Sequence, residues 1–227
     1  MQPYQPPGDF VPLTTADGSR TLRSARLGEQ YHSVHGAVQE SRHVFITMGL
    51  KAFQKQQVDV LEVGLGTGLN MLLTWQEAEA SDLRVTYTAL EPYPPTLEEV
   101  MALDHPAAIG APERAEGFHR AMAETAGELV GLSQAFRFQR LATPVQELQR
   151  TDAFDLVYFD AFGPEAQPEM WTAEVFTGLF RAMRPGALLV TYCAKGVVRR
   201  TLLSAGFHVE RLPGPPGKRE MLRACRP

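Results

Sequence analysis

The chain alternates between short apolar runs and longer helix-forming runs, and this alternation constrains its fold more than any other feature. Val58–Val63 is a β-branched run that leads into a glycine-rich loop, and the apolar segment Leu69–Ala80 follows with the composition of a helix. Further strand-like runs follow at Arg84–Leu90, Ala135–Leu141, Phe154–Phe159 and Ala187–Cys193. Strands that alternate with helices at this spacing predict a doubly wound α/β fold with a mostly parallel sheet.

The remaining elements are predicted from local signals. Helical patterns occur at 40–56, from Pro94 to Leu103, in two pieces within 107–133, after the capping residue Thr172, and at 197–205. A turn is expected at Arg184-Pro185-Gly186, before the fifth strand. The last two strand-like runs, Phe207–Leu212 and Glu220–Cys225, flank a turn rich in Pro and Gly. They predict an antiparallel edge to the sheet.

Length and composition indicate one soluble domain with an N-terminal extension. Residues 1–35 are rich in Pro, Gly, Ser and Thr and predict an irregular arm or short hairpin, and residues 36–227 form the main domain. No apolar run is long enough to cross a bilayer, and the N-terminus lacks the pattern of a signal peptide. We therefore expect a cytoplasmic protein. The two cysteines and six histidines show no metal-ligand spacing, so no metal is expected.

The glycine loop has a spacing that differs from that of a dinucleotide site. It runs from Glu62 to Asn70, and its glycines, Gly64, Gly66 and Gly68, follow a GxGxG pattern. A dinucleotide-binding loop reads GxGxxG and directs a helix N-terminus at a pyrophosphate. Glu62 would repel a phosphate but suits the positively charged amino-acid end of S-adenosylmethionine (SAM). The alternative interpretation of the glycines alone is a tight turn without a ligand.

A second acid stands at the end of the next strand. Glu91 directly follows Arg84–Leu90, and the carboxyl ends of parallel strands meet at the edge where such sheets bind ligands. A carboxylate there can accept hydrogen bonds from both ribose hydroxyls of an adenosine. The two acids around the loop therefore favour SAM over NAD. We predict a Rossmann-like class I SAM-dependent methyltransferase, with a mostly parallel sheet and an antiparallel edge strand.

A third acid, Asp160, follows the strand-like run Phe154–Phe159 and reaches the same edge of the sheet. Aromatic and proline residues surround it, among them Phe162, Pro164 and Trp171. Such side chains can hold a flat acceptor beside the methyl group, and Asp160 is the candidate catalytic residue. The alternative is that Asp160 braces a loop and that Trp171 only anchors it.

Several motifs, in order along the chain, resemble the methyltransferase family of bacterial tRNA wobble-uridine modification, which includes the MnmC and stand-alone MnmD-like enzymes. They read EVGLGTGLN, LxxWQEA, EPYPPT, DAFGPxxxPEMWT, GxVRRxLxxAGF and GKREML. An upstream patch, Glu40–Phe45, also corresponds, together with Tyr31. The match runs from about Glu40 to Ala224. The flavin-dependent oxidase half of MnmC has no room in 227 residues.

The resemblance implies an N-methyltransferase that converts 5-aminomethyl-2-thiouridine to 5-methylaminomethyl-2-thiouridine at the tRNA wobble position, with SAM as the methyl donor. It assigns the methyl-acceptor site to Asp160, and Thr143 is a candidate to hydrogen-bond the adenine. The residues assigned to the cofactor are Glu62, Gly64, Gly66, Gly68, Asn70 and Glu91. The implied partner is the tRNA anticodon loop, and no membrane is implied.

The C-terminal segment has the charge expected of an RNA-binding surface. Residues 181–227 carry ten Lys or Arg and two acids, while the whole chain has a net charge of −4. Lys and Arg bind the phosphates of nucleic acids. The candidate contacts are Lys195, Arg199, Arg200, Lys218 and Arg219. The alternative for each residue is an ordinary solvated charge.

Other functions remain open on the sequence alone. One is a SAM-dependent methyltransferase of a small-molecule amine, and a related one is an aminopropyltransferase that uses decarboxylated SAM. A third, of a different class, is a non-catalytic RNA-binding Rossmann domain. The acids at Glu62, Glu91 and Asp160 argue against loss of catalysis, and the glycine spacing argues against a dinucleotide oxidoreductase.

Overall fold

The apolar runs form the central sheet of the molecule. This computed structural model describes residues 10–24, 28–54, 56–124 and 127–227. The strands in these residues are β1 (Phe10–Thr14), β2 (Arg20–Ser24), β3 (Gln57–Val63), β4 (Arg84–Leu90), β5 (Val130–Gly131), β6 (Phe136–Leu141), β7 (Phe154–Phe159), β8 (Met183–Thr191), β9 (His208–Pro213) and β10 (Glu220–Cys225). Eight of them form one sheet, in the order β5-β6-β4-β3-β7-β8-β10-β9.

The direction of the strands confirms the predicted fold class. Strands β6, β4, β3, β7 and β8 are parallel, whereas β10 is antiparallel to both β8 and β9. Successive strands lie on opposite sides of β3, with β4 on one side and β7 on the other. A reversal of this kind opens a crevice at the carboxyl ends of the central strands, where ligands bind in open α/β sheets.

Helices cover both faces of the sheet. They are α1 (Ala37–Ser41), α2 (Leu69–Ala80), α3 (Leu97–Leu103), α4 (His105–Ala108), α5 (Ala115–Ala123), α6 (Ala173–Ala182) and α7 (Gly196–Ser204). Alternate residues of β3 enter two separate apolar clusters, with Val60 in one and Leu61 in the other. Such two-sided cover explains why every residue of β7 is buried. No helix among the described residues is long and apolar enough to cross a membrane.

The predicted turn at Arg184-Pro185-Gly186 is wrong, because these residues lie inside β8. The pairing of β8 with β7 is irregular there, Gly186 has a φ of 80°, and its N–H donates to the carbonyl of Arg226 at 2.8 Å. An irregularity of this kind lets a strand accommodate proline and a left-handed glycine. The strand therefore begins at Met183 rather than at Ala187.

The predicted helix at Glu40–Gln56 is broken into pieces, and its residue 55 lies outside the described residues. After α1 the chain makes a π-helical turn over Arg42–Thr47 and a 3-10 turn over Leu50–Ala52. Gly49 separates the two turns, and a Cβ there would overlap the carbonyl oxygen of Phe45. The break therefore follows from close packing of the backbone, which hydrophobic periodicity does not report.

The predicted helical stretch at 107–133 is helical only in its first part. Helix α4 reaches Ala108 and α5 ends at Ala123, and residues 125–126 lie outside the described residues. Val130–Gly131 then forms β5, which pairs antiparallel with β6. A strand of two residues carries no periodicity, so the sequence could not indicate it.

Strands β1 and β2 form the short antiparallel hairpin that was one of the two expectations for the N-terminal arm. Residues 1–9 and 25–27 of that arm lie outside the described residues, and the boundary at residue 35 stays a prediction. The turn of the hairpin is bonded to the start of the main domain. The N–H of Ala37 donates to the hydroxyl of Thr15 at 3.3 Å, and the N–H of Gln39 donates to the carboxylate of Asp17 at 3.0 Å. The arm is thus packed on the domain.

Candidate functional site

The glycine loop turns sharply at the carboxyl end of β3, and two of its glycines permit close contacts. Gly64 has a φ of 87° and Gly66 a φ of 51°. A Cβ on Gly64 would lie 2.8 Å from the backbone oxygen of Asp160, and one on Gly66 would lie 2.7 Å from the ring of Tyr31. Any larger residue would be strained in its backbone and would also collide with these groups. The loop is therefore held between β7 and the segment that follows β2.

Glu91, at the end of β4, is fixed by the glycine loop itself. One of its carboxylate oxygens accepts from the N–H of Gly66 at 3.0 Å, and the other accepts from the N–H of Tyr93 at 2.9 Å. Burial raises the pKa of Glu91, while these two N–H groups and the charge of Arg140 act in the opposite direction. The carboxylate is thus oriented before any ligand binds, and it still opens to the cavity described below.

Asn70 links the other two acids. Its amide nitrogen donates to Glu62 at 2.9 Å and to Asp160 at 2.8 Å, and its amide oxygen is buried without a hydrogen bond. Burial raises the pKa of Glu62 well above its usual value, since the side chain is entirely enclosed. Burial also raises the pKa of Asp160, to about 7, against the effect of the Asn70 bond. Two carboxyl groups therefore share one amide, and each favours its neutral form more than usual.

These residues surround a cavity of about 960 Å³. Its floor is the glycine loop, and one end is formed by Glu91 and residues 92–93 and 144–146. The other end is formed by Asp160, Phe162, Tyr192 and Lys218. The ring of Tyr31 closes one side and meets the ring of Phe162 edge-on, with 4.9 Å between the centroids. The volume lies in the range typical of small-molecule and cofactor sites.

The donors and acceptors of the cavity fit the cofactor that the sequence predicts. The carboxylate of Glu91 can take the hydroxyls of a ribose, and the glycine loop leaves the backbone open to a ligand. Carboxyl groups at the opposite end suit a positive charge. Within the described part of the chain, no group of three or more His, Cys, Asp or Glu side chains is arranged to hold a metal ion.

The structure brings several predicted site residues together at the cavity and places others behind it. The residues that line it are Gly64, Gly66, Glu91, Asp160, Phe162 and Lys218. Glu62 and Asn70 lie behind Asp160 and reach the cavity through it. Gly68 directly precedes α2 as its N-cap residue and lies against Met122. Their roles toward a ligand stay predictions.

Thr143, Pro164 and Trp171 were also predicted for the site and do not line the cavity. In place of Thr143, the next residues, Pro144, Val145 and Gln146, form its wall, and Pro164 also lies off the wall. Trp171 is buried and its indole N–H donates to the carbonyl of Phe162 at 2.8 Å. This geometry is that of an anchor for the loop that carries Phe162, which was the alternative interpretation of Trp171.

The predicted basic residues fall into two groups. Lys218 lies inside the cavity wall, whereas Lys195 is on the surface, where it pairs with Glu165 at 2.6 Å. Arg200 and Arg219 are exposed, and Arg199 is partly exposed. The sequence therefore did not separate the lysine of the cavity from the arginines of the surface.

Among the residues of the cavity wall to which the sequence assigned no role are Tyr192 and Glu40. Tyr192 follows β8 by one residue, and its hydroxyl donates to the carbonyl of Ala161 at 2.9 Å. Glu40 begins the motif Glu40–Phe45 and is also in the wall. The only signal for Glu40 was its place in that motif, and Tyr192 had no signal.

The comparisons with known proteins agree with this geometry. Residues 117–227 match the family model described as S-adenosyl-L-methionine-dependent methyltransferase. A protein of Cupriavidus metallidurans named tRNA 5-methylaminomethyl-2-thiouridine biosynthesis bifunctional protein MnmC is 36% identical over 229 residues, which cover 92% of this chain and 33% of that protein. A protein of Cupriavidus necator with the same name is 37% identical over 225 residues. The chain spans about a third of the length of these curated relatives.

Solved structures extend the match to the whole chain. The crystal structure of MNMC2 from Aquifex aeolicus has a TM-score of 0.76 and 26% identity, and the match covers 99% of this chain and 72% of that one. Spermidine synthase from Thermotoga maritima, with a TM-score of 0.53 and 12% identity, shares the fold. Residues 117–227 are therefore similar to S-adenosyl-L-methionine-dependent methyltransferases, and the resemblance to MnmC-type proteins that the motifs indicate is confirmed along the chain.

Proposed function

We propose that the chain transfers a methyl group from SAM to the primary amine of 5-aminomethyl-2-thiouridine at the wobble position of tRNA. Relatives that are matched along 92% of this chain are named for the biosynthesis of the methylated nucleoside, although the chain spans only about a third of their length. The observation that carries the proposal is the position of Asp160, a carboxyl group at one end of a cavity that also contains the glycine loop and Glu91. The proposed tRNA substrate implies a cytoplasmic location.

The cofactor would lie along the glycine loop. Glu91 would accept from the ribose hydroxyls, and Asp160, with Asn70 and Glu62 behind it, would lie toward the amino-acid end. When bound, SAM supplies an electrophilic methyl group on a sulfonium. Phe162 lines the acceptor end of the cavity, where its ring can stack on a base.

Asp160 is the residue that can take up the proton of the acceptor. A primary alkylamine has a pKa of roughly 10, as lysine does, so it is mostly protonated at neutral pH and has no free lone pair. Above a pH of about 7, Asp160 is a carboxylate that can accept a hydrogen bond from this ammonium and take its proton. The freed nitrogen would then form a bond to the methyl carbon that SAM supplies, while the methyl–sulfur bond would break and its electron pair would stay on the sulfur of the departing thioether. Asn70 holds the Asp160 carboxylate in place at 2.8 Å.

The test is methyl transfer from labelled SAM to tRNA that lacks this wobble methyl group, followed by nucleoside analysis. We expect labelled 5-methylaminomethyl-2-thiouridine. SAM binding without that product, combined with methylation of free amines, would indicate a small-molecule methyltransferase. Turnover only with decarboxylated SAM would indicate an aminopropyltransferase, and tRNA binding without SAM binding would indicate a non-catalytic RNA-binding domain.

A further inference from the structure

Two motifs that lie 178 residues apart in the chain meet at the acceptor end of the cavity. Glu40 belongs to the Glu40–Phe45 motif and Lys218 to the final GKREML motif, and their charged groups are 2.6 Å apart. The side chain of Glu40 is 9% exposed and that of Lys218 is 32% exposed. The second carboxylate oxygen of Glu40 accepts from the N–H of Ser33 at 2.8 Å. Such a pair is less screened by solvent than an ordinary surface ion pair.

The pair is connected to the loop that carries Asp160. The ammonium group of Lys218 lies 4.1 Å from the centre of the Tyr192 ring, which is a cation–π contact. The hydroxyl of Tyr192 donates to the carbonyl of Ala161, the residue after Asp160, at 2.9 Å. A continuous set of contacts therefore runs from Ser33 through Glu40, Lys218 and Tyr192 to the candidate catalytic loop.

The turn between β9 and β10 is shaped to make this approach possible. Gly217 has a φ of 83°, and a Cβ there would overlap the ring of His35. Glycine is thus required both for the backbone conformation and for the space. The turn packs directly against residues 33–35, which form part of the cavity wall.

We propose that Glu40 and Lys218 are positioning residues that hold residues 33–35 and the β9–β10 turn together as the wall of the acceptor pocket. The proposal rests on the proposed methyl-transfer function. Lys218 is then a part of the pocket and not a phosphate contact. Because Glu40 neutralises its charge, a protonated amine that approaches Asp160 meets no net repulsion from this wall.

A double-mutant cycle tests whether the two residues act as a unit. The variants are Glu40→Gln, Lys218→Met, the two combined, and the conservative Lys218→Arg. Steady-state kinetics with undermethylated tRNA and SAM-binding titrations are measured for each variant. The matched control is Lys51→Met with Glu77→Gln, a lysine–glutamate pair at 3.1 Å that lies outside the cavity wall.

We expect each single neutral variant to lower kcat/KM for tRNA by about tenfold or more, and the double variant to be no more than about threefold worse than the poorer single variant. Lys218→Arg should retain most of the activity, and the SAM dissociation constant should change by less than about threefold. Effects of the two singles that multiply in the double variant would overturn the proposal. So would a Lys218→Met variant that only flattens the salt dependence of tRNA binding while Glu40→Gln is silent.

A second measurement separates this proposal from the proposed function. Hydrogen exchange is followed in the peptide that contains Ser33, whose N–H is held by Glu40. Both neutral variants should increase exchange there, and the Lys51 and Glu77 control should not. If the wild-type chain does not methylate tRNA but both variants increase exchange at Ser33, the proposed substrate is wrong and the positioning role of Glu40 and Lys218 still stands. Unchanged exchange in both variants overturns the positioning role in either case.

Discussion

At the residue scale, the three acids of the site differ in what holds them. Glu91 is bound by two backbone N–H groups, whereas Glu62 and Asp160 share the amide of Asn70. A carboxyl group that accepts from two N–H groups keeps its charge more readily than one that accepts from a single N–H group. Glu91 is therefore suited to binding, and Asp160, which opens to the cavity with a pKa raised to about 7, is suited to moving a proton.

The first prediction concerns the replacement of Asp160 by asparagine. Asp160→Asn keeps the shape and loses the ability to take up a proton, so kcat should fall by about 100-fold, within the range of roughly 10²–10⁴ for general acid–base groups. SAM affinity, measured by calorimetry, should change by less than about threefold. Asp152→Asn makes the same chemical change on the surface, with Asp152 paired to Arg226, and should leave kcat unchanged. Wild-type turnover in Asp160→Asn would remove Asp160 from the chemistry.

The second prediction concerns pH. The pKa of Asp160 is raised to about 7, so the carboxylate needed to accept a proton is lost as the pH falls through 7. We expect kcat/KM for tRNA to decline below about pH 7 and to be level above it, until the substrate amine itself loses its proton near pH 10. The residual kcat/KM of Asp160→Asn should not decline as the pH falls through 7. A decline that persists in this variant would show that another group titrates there.

The same shift has a consequence for stability with the opposite dependence. The folded-state pKa of Asp160 is above the ordinary value of 3.8, so the folded protein holds a proton that the unfolded chain releases between about pH 4 and 7. Its contribution to stability therefore decreases as the pH rises through this window. The proposed catalytic group is thus one whose charge the fold disfavours.

At the element scale, the segment that carries Phe162 depends on helix α6. The hydroxyl of Thr172 caps α6 by accepting from the N–H of Val175 at 3.3 Å, and the preceding residue, Trp171, holds the carbonyl of Phe162. The cap thus fixes the start of the helix directly beside the anchor of the acceptor loop.

The third prediction is that Thr172→Ala lowers the free energy of unfolding by about 1 kcal/mol, since it leaves a helix N-terminal N–H without its partner. Urea denaturation would measure this. Thr177→Ala is the matched control, because the hydroxyl of Thr177 lies within the same helix and donates to the carbonyl of Ala173 at 2.7 Å, away from the helix N-terminal N–H groups. It should change stability by a few tenths of a kcal/mol at most. Equal losses in both variants would contradict the capping role.

Element boundaries were predictable where a single local signal sets them. Helix α2 and strands β4 and β7 have the predicted bounds, because a glycine loop, a turn or an acid ends each apolar run. Strand β8 begins earlier than predicted, because Pro185 and Gly186 lie within the strand, where its pairing with β7 shifts register. The residues Arg184-Pro185-Gly186 favour a turn locally, but the pairing of β8 in the sheet outweighs that local preference.

At the scale of the whole molecule, the charge asymmetry of the sequence is largely cancelled by tertiary pairing. Basic residues of the C-terminal segment pair with acids from the rest of the chain, at Arg184 with Asp59 and Asp155, Lys195 with Glu165, Lys218 with Glu40, and Arg226 with Asp152. Within the described residues, four arginines of this segment form no ion pair: Arg181, Arg199, Arg200 and Arg219. These arginines, of which Arg199 and Arg200 lie together on α7, are the cations of the segment left for an external anion.

The fourth prediction follows from this distribution. The double variant Arg199→Glu with Arg200→Glu should weaken tRNA binding and reduce the slope of log affinity against log salt by about 0.7 for each phosphate that is no longer neutralised. Filter binding over a range of salt concentrations measures both quantities. Arg84→Glu is the control, because Arg84 is exposed at the amino end of β4, across the sheet from the cavity. An unchanged slope in the double variant would place the RNA elsewhere.

The sequence by itself determined the fold class and the cofactor end of the site. The glycine loop, Glu91 and Asp160 each follow a strand, and parallel strands bring their carboxyl ends to one edge, so their convergence follows from order along the chain. No side-chain contact has to be known to predict it.

Only the tertiary structure decided which residues complete the acceptor end. In the sequence, Lys218 is one more cation of a basic segment. In the structure it contacts Glu40, because β10 pairs with β8 and the turn before β10 therefore packs on residues 33–35. Tyr31 covers Gly66 for a similar reason, since the hairpin of β1 and β2 packs on the domain. Contacts between segments this far apart depend on how elements pack, and packing is a property of the whole chain rather than of any local pattern.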